Sequence, residues 1–204
     1  MKAFLITIFL VVGVVSLGTI WNAQKTQENA PIAEVKDVEG SGTPSIGGKF
    51  TLVDQNGNTR HDSDFRGQFM LVYFGYSYCP DICPTGLSNM TQAMNLIGGK
   101  SRFVQPIFIT IDPSRDTVEQ MELYMQNFHP KMIALTGTDE QVQKAVKAYR
   151  VYAAKSEIDS GTTEYLMDHS SIVYLMDRQG HMVAHFNHET DPKKIADGIL
   201  KAIG

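Results

Sequence analysis

Cysteine is scarce: the 204 residues hold two, Cys79 and Cys83. Two thiolates fall short of the four closed ligands of a structural zinc site. Basic clusters are missing as well. Lysine and arginine number 18 against 22 aspartates and glutamates, a net charge of −4, and with no basic patch this balance argues against a nucleic-acid partner. One stretch, Ala3 to Ile20, is both apolar and free of charge for 18 residues; it follows Lys2 and closes at Trp21, the sole tryptophan. That length is near the minimum for crossing a bilayer. No A-x-A-like cleavage site follows it, so the expectation is an uncleaved anchor over 1–21, with a cleaved signal peptide as the rival. With Lys2 held inside, the remainder faces the periplasm or an equivalent outer compartment, where a cysteine pair can be oxidised. The expected location is therefore the inner membrane, single-pass, with a soluble periplasmic domain.

Residues 22–48 contain Pro31, Pro44 and the triplet Gly40-Ser41-Gly42 and lack apolar periodicity, which predicts a flexible tether. Residues 49–204 are then the domain, and 43% hydrophobic content supplies its core. Phe50 to Gly57 reads as a strand ending in an Asn-Gly turn, with a partner near Thr59 to His61. Leu71 to Phe74 is a buried strand, and Leu87, Met90, Met94 and Ile97 recur at helical spacing up to Gly98-Gly99. Those methionines read as core rather than metal ligands. Val104 to Ile111 is a second buried strand. Asp116 or Thr117 caps the next helix, with Val118, Met121, Met125 and Phe128 facing inward and Glu119 or Gln120 completing a capping box.

Met132 to Leu135 is a third strand, and Thr138 or Asp139 caps a helix that buries Val142, Ala145, Val146 and Tyr149. Val151 to Lys155 reads as a strand before Glu157 to Thr163, a polar loop or hairpin. Ile172 to Met176 and His181 to Phe186 form a hairpin about Asp177 to Gly180, and Asp191-Pro192 opens a last helix burying Ile195, Ile199, Leu200 and Ile203. Parallel βαβ units followed by a hairpin and a helix are the thioredoxin order. The expected fold is α/β, a central mixed sheet flanked by helices.

The cysteines follow the first buried strand in the spacing C-x-x-x-C, one residue longer than the C-x-x-C of thioredoxin-like oxidoreductases. Pro80 and Pro84 argue against a continuous helix through both, so the helix is expected to open at Pro84 with Cys83 near its N-cap. Unpaired amides there predict that Cys83 is the acidified, reactive thiol. The spacing brings two sulfurs to one side of a turn, close enough to share one small ion and, after local adjustment, to form a disulfide. Two thiolates select soft ions such as copper(I) or zinc, and a third ligand must come from elsewhere.

Six histidines are available. His169 sits in Tyr165 to Ser171, a polar break before a strand; spacing alone leaves it a surface loop residue. His181, His185 and His188 form an H-x3-H-x2-H run. On a strand the first two would stand roughly 13 Å apart, too far for one ion, so a solvated strand is expected there.

Three blocks, FGYSYCPDICP (Phe74 to Pro84), FITIDPSRDT (Phe108 to Thr117) and YLMDHSSIVYL (Tyr165 to Leu175), together resemble the Sco/SenC family of membrane-anchored, thioredoxin-like copper proteins, and they stand in the family's order. The resemblance implies a copper site made by Cys79, Cys83 and His169, in a family that helps assemble the binuclear copper centre of cytochrome c oxidase. The implied partner is the oxidase's copper-bearing subunit, with other periplasmic copper or thiol-redox proteins beside it. Two thiolates and an imidazole suit trigonal copper(I). Asp168, beside the histidine, is either a further ligand or a loop-capping carboxylate. Asp112, Arg115 and Asp116 match the family's DPxRDT block, as a polar patch near the site or as capping and loop-fixing groups. Asp81, between the cysteines, has no derivable role.

The leading expectation is an assembly factor that hands copper on from an exposed site on a mobile tether. The alternative is a thiol-disulfide reductase that keeps the oxidase's copper-site cysteines reduced, with Cys79 and Cys83 as the exchanging pair. A redox or copper sensor and a peroxidase are weaker rivals. His169 separates the first two: a metal site needs it and disulfide exchange does not.

Overall fold

The computed structural model describes residues 45–157 and 165–204. The expected anchor over 1–21, nearly all of the 22–48 tether and most of the Glu157 to Thr163 loop lie outside the described residues. Among the described residues no helix is long and apolar enough to cross a membrane.

The elements, in chain order, are β1 (Thr51–Asp54), β2 (Thr59–His61), β3 (Phe69–Gly75), α1 (Ile82–Leu96), β4 (Val104–Thr110), α2 (Val118–Met125), β5 (Ile133–Thr136), α3 (Asp139–Ala148), β6 (Ala153–Glu157), β7 (Tyr165–His169), β8 (Ile172–Met176), β9 (Met182–Asn187) and α4 (Pro192–Ile203). Seven strands make one mixed sheet in the order β2-β1-β5-β4-β3-β8-β9. Every residue of β3 is buried, because this strand lies between β4, parallel to it, and β8, antiparallel. A strand covered on both faces is apolar at successive positions rather than alternate ones, which is the pattern of FMLVYFG. At the sheet's margin β9 alternates half-buried and exposed residues. β6 and β7 form a separate two-stranded ribbon.

Local chemistry sets the element ends. Gly57, at φ 80°, closes the β1–β2 turn, whose amides at Asn56 and Asn58 both donate to Asp54 Oδ1 at 2.9 Å. Thr117 accepts from the Gln120 amide at the start of α2, and Thr138 with Gln141 makes a capping box on α3. Leu87, Met90 and Met94 of α1 are buried, as their spacing predicts for core residues.

Several boundaries differ from the sequence-based expectation. α1 begins at Ile82 with Asp81 as its N-cap, so Cys83 and Pro84 both lie inside the first turn. Proline is tolerated there because first-turn amides have no intrahelical partner. The domain starts before residue 49: the Gly47 amide donates to the Ala148 carbonyl at 3.0 Å and Ile46 packs on the core. α2 ends at Met125, leaving Phe128 outside the helix, where its ring packs on Tyr124 at 5.1 Å between centroids. In α4 the buried residues are Ile195, Ala196 and Ile199, while Leu200 is exposed. His169 is no loop residue; it ends β7, paired with Ala153 of β6. The polar residues around it hid that strand: burial alternates along β7, but its exposed face carries Leu166 as well as Asp168 and its inner face ends in His169, so residue polarity does not alternate with it.

Candidate metal centre

The site grows from the end of β3. After Gly75 the chain turns tightly, the Cys79 amide donating to the Tyr76 carbonyl at 3.3 Å, and enters α1. Cys79 is 9% exposed and Cys83 fully buried, so the expected exposed site is in fact largely enclosed. Gly75 makes the room. A Cβ at that position would lie 2.7 Å from Cys83 Sγ and 3.0 Å from the Phe108 ring, closer than real contacts permit.

The third member arrives on the ribbon. β7 delivers His169 so that its Nε2 lies 3.3 Å from Cys83 Sγ, between the rings of Tyr73 and Tyr76 at 6.3 and 6.1 Å. Ligand atoms of Cys79, Cys83 and His169 all fall within 4.8 Å of one another. On the far side of the imidazole, Nδ1 meets the Ser170 carbonyl at 3.1 Å. A carbonyl only accepts, so Nδ1 carries a proton and Nε2 is the nitrogen turned toward the sulfurs. That arrangement orients metal-binding histidines generally.

The two thiols are not equivalent, and the expected order is reversed. The Cys83 thiol donates a hydrogen bond to Cys79, which together with His169 and the amides of Asp81 and Cys83 outweighs burial and pulls the Cys79 thiol down to about 3. The Cys83 amide reaches Cys79 Sγ at 3.4 Å. Cys83 is pushed up, first because it gives its hydrogen to Cys79 and then because it is buried. Helix-terminal amides acidify the sulfur they point at, and here they point at Cys79 rather than at the cysteine inside the turn.

Among the described residues Cys79, Cys83 and His169 are the one group placed to share an ion. Asp168 is exposed and, next to His169 on a strand, belongs to the opposite face. Asp81 is exposed and makes no side-chain cap bond. His181 and His185 are exposed, as expected of a solvated strand, with His181 3.4 Å from Asp177. The DPxRDT residues play both expected roles. Arg115 pairs with buried Asp112 at 2.5 Å, and buried Asp116 accepts from the Ser77 amide at 3.1 Å and the Thr110 hydroxyl at 2.6 Å. Gly75, Ser77, Tyr76 and Tyr165 matter to the site and carried no signal of chemistry in the sequence beyond lying inside the three motif blocks.

A mixed-sheet thioredoxin-like domain that brings two thiols and one oriented imidazole together beyond its central strand is of the class that holds a single soft metal ion. The SCO1/SenC family model matches residues 38–204, and the chain belongs to that family. It is 37% identical over 193 residues to an SCO2-like protein of Rickettsia felis, covering 95% of this chain and 93% of that one. Its fold resembles copper-bound ScoI of Bradyrhizobium japonicum, with 38% identity and a TM-score of 0.72 over 78% of this chain and 99% of that one. It also resembles yeast Sco1 with copper bound, with 39% identity and a TM-score of 0.72 over 78% of this chain and 89% of that one.

Proposed function

We propose that this protein is a membrane-anchored copper-assembly factor. Cys79, Cys83 and His169 bind one copper ion, and the domain delivers it to the binuclear copper centre of cytochrome c oxidase, acting on the oxidase's copper-bearing subunit. The observation that carries this reading is the convergence of two sulfurs and one imidazole within 4.8 Å, with the imidazole's other nitrogen engaged by a backbone carbonyl. Copper(I) suits this donor set, being soft and content with three ligands. Family membership and the copper held by the two similar structures support the choice of ion. Copper here is cargo. The proposed domain plan is an anchor at 1–21, a tether that ends before Ile46 and a copper domain from there to Gly204, single-pass in the inner membrane with the domain in the periplasm. The apolar run at Ala3 to Ile20 supports it.

The test is copper(I) titration of the purified 204-residue chain, reduced and in detergent, against a competing chelator. Wild type is expected to hold one equivalent. His169→Ala should lose affinity while its dithiol still reacts, and either Cys→Ser variant should lose tight binding. Equal binding by His169→Ala and wild type would overturn the site.

A second reading, thiol-disulfide reduction of the oxidase's copper-site cysteines, is favoured by the strongly acidified Cys79 thiol. Turnover of a disulfide substrate by a chain that binds no copper would favour it.

A further inference from the structure

The three proposed ligands ride on two bodies that share no strand pairing. The cysteines belong to the end of β3 and the start of α1, within the seven-stranded sheet's layer, while His169 belongs to the β6–β7 ribbon. Something must hold the ribbon at the right distance from the cysteine loop. The segment between β4 and α2 touches both.

On the ribbon side, the Tyr165 hydroxyl donates to the Asp112 carboxylate at 2.8 Å, and Arg115 Nη1 donates to the Tyr165 carbonyl at 3.0 Å. The Arg115 guanidinium lies 3.7 Å from the Tyr165 ring centroid and is itself tied to Asp112. On the cysteine side, the Ser77 amide and hydroxyl both donate to Asp116, and Gln120 Nε2 donates to Ser77 Oγ at 3.0 Å. Arg115 spans the two sides: its guanidinium also faces the rings of Tyr76 and Tyr78, at 5.6 and 5.0 Å, which flank Ser77 in the cysteine loop. The segment is rooted in the sheet, because Thr110 and Thr136 hydroxyls donate to Asp116 and the Asp112 amide donates to Thr110 Oγ1.

We propose that Asp112 to Asp116 is a brace that sets the separation between His169 and the cysteine pair, Asp112 and Arg115 latching the ribbon through Tyr165 while Asp116 anchors the cysteine loop through Ser77. The inference rests on the copper site proposed above and deepens it: these are positioning residues that touch no copper. Planar stacking and a forked donor are what arginine supplies and lysine does not, so the latch specifically needs Arg115. Partners that orient a ligand usually contribute about 10- to 100-fold to metal affinity. A latch on the histidine alone also gives the protein a way to release copper without opening the dithiol.

The test compares Tyr165→Phe, which removes only the hydroxyl, and Arg115→Lys with wild type in the purified chain. Each variant is also made in a His169→Ala background. Two quantities are read, copper(I) affinity by chelator competition and the dithiol–disulfide midpoint potential of Cys79 and Cys83. Both latch variants are expected to weaken copper(I) binding by about 10- to 100-fold. The midpoint potential of Tyr165→Phe should move no further than that of His169→Ala, and the affinity loss should vanish once His169 is alanine. The latch is overturned if Tyr165→Phe binds as wild type while His169→Ala does not, or if the loss persists without His169, which reports general damage. If His169→Ala itself binds as wild type, the copper site falls and the latch with it. Tyr165→Phe keeps the ring, so the test stands even if Arg115→Lys folds poorly.

Discussion

Gly75 occupies the last position of β3 because Cys83 leaves it no room for a side chain. Its replacement by alanine would push the Cys83 sulfur and the Phe108 ring apart in a close-packed region, at a cost of about 1–3 kcal/mol. Chemical denaturation of Gly75→Ala should show that loss, and chelator competition should show weaker copper(I) binding, since Cys83 Sγ lies only 3.3 Å from His169 Nε2. The same residue-level view explains which thiol is acidic. Cys83 is closest in sequence to the helix interior, yet its own amide and thiol both serve Cys79. One proton is shared between two sulfurs, and the loop sulfur that receives the donors keeps the charge.

The β1–β2 hairpin shows the same accounting at the scale of an element. Asp54 is buried at its turn, and burial alone would raise its pKa. Hydrogen bonds from Asn58, Arg60 and Asn56 outweigh burial and hold the carboxyl below its ordinary value. A carboxyl depressed on folding stabilises the native state above its unfolded pKa, and the contribution is lost as pH falls through the folded value. Asp54→Asn should therefore cost about 1–3 kcal/mol near neutral pH. The gap to wild type should close below about pH 4, as read by denaturant midpoints across the acid limb. This hairpin was legible in the sequence because Asn56-Gly57 names its turn, and so was α3, whose Thr138 and Gln141 form a capping box. Of the β6–β7 ribbon only β6 was, as the strand expected over Val151 to Lys155. β7 was not: it puts apolar Leu166 at an exposed position and His169 on the half-buried face, so apolar and polar residues do not follow its alternation in burial. Leu200 failed for the related reason that helical spacing marks a stripe but not its edge, where one residue of α4 faces solvent.

For the whole molecule, the site exists only when the chain is folded, since Cys83 and His169 are 86 residues apart in sequence. An ion that binds the native state and not the unfolded one stabilises by mass action, about 2.7 kcal/mol at about 100 times its dissociation constant. Copper(I) should thus raise the melting temperature of the reduced chain by several degrees, a chelator should reverse the rise, and His169→Ala should blunt it. Thermal denaturation with and without chelator measures all three; no shift in wild type would contradict tight binding. The sequence by itself determined the buried central strand, the caps and turns, the C-x-x-x-C pair and the three motif blocks, because each is written in neighbouring residues and depends on local sterics and periodicity. Only the tertiary structure decided that the site is enclosed, that Cys79 rather than Cys83 is the acidic thiol, that His169 arrives on a ribbon, and that the Asp112 to Asp116 segment bridges the two. Those properties depend on distances between segments far apart in the chain, and such distances are set by packing.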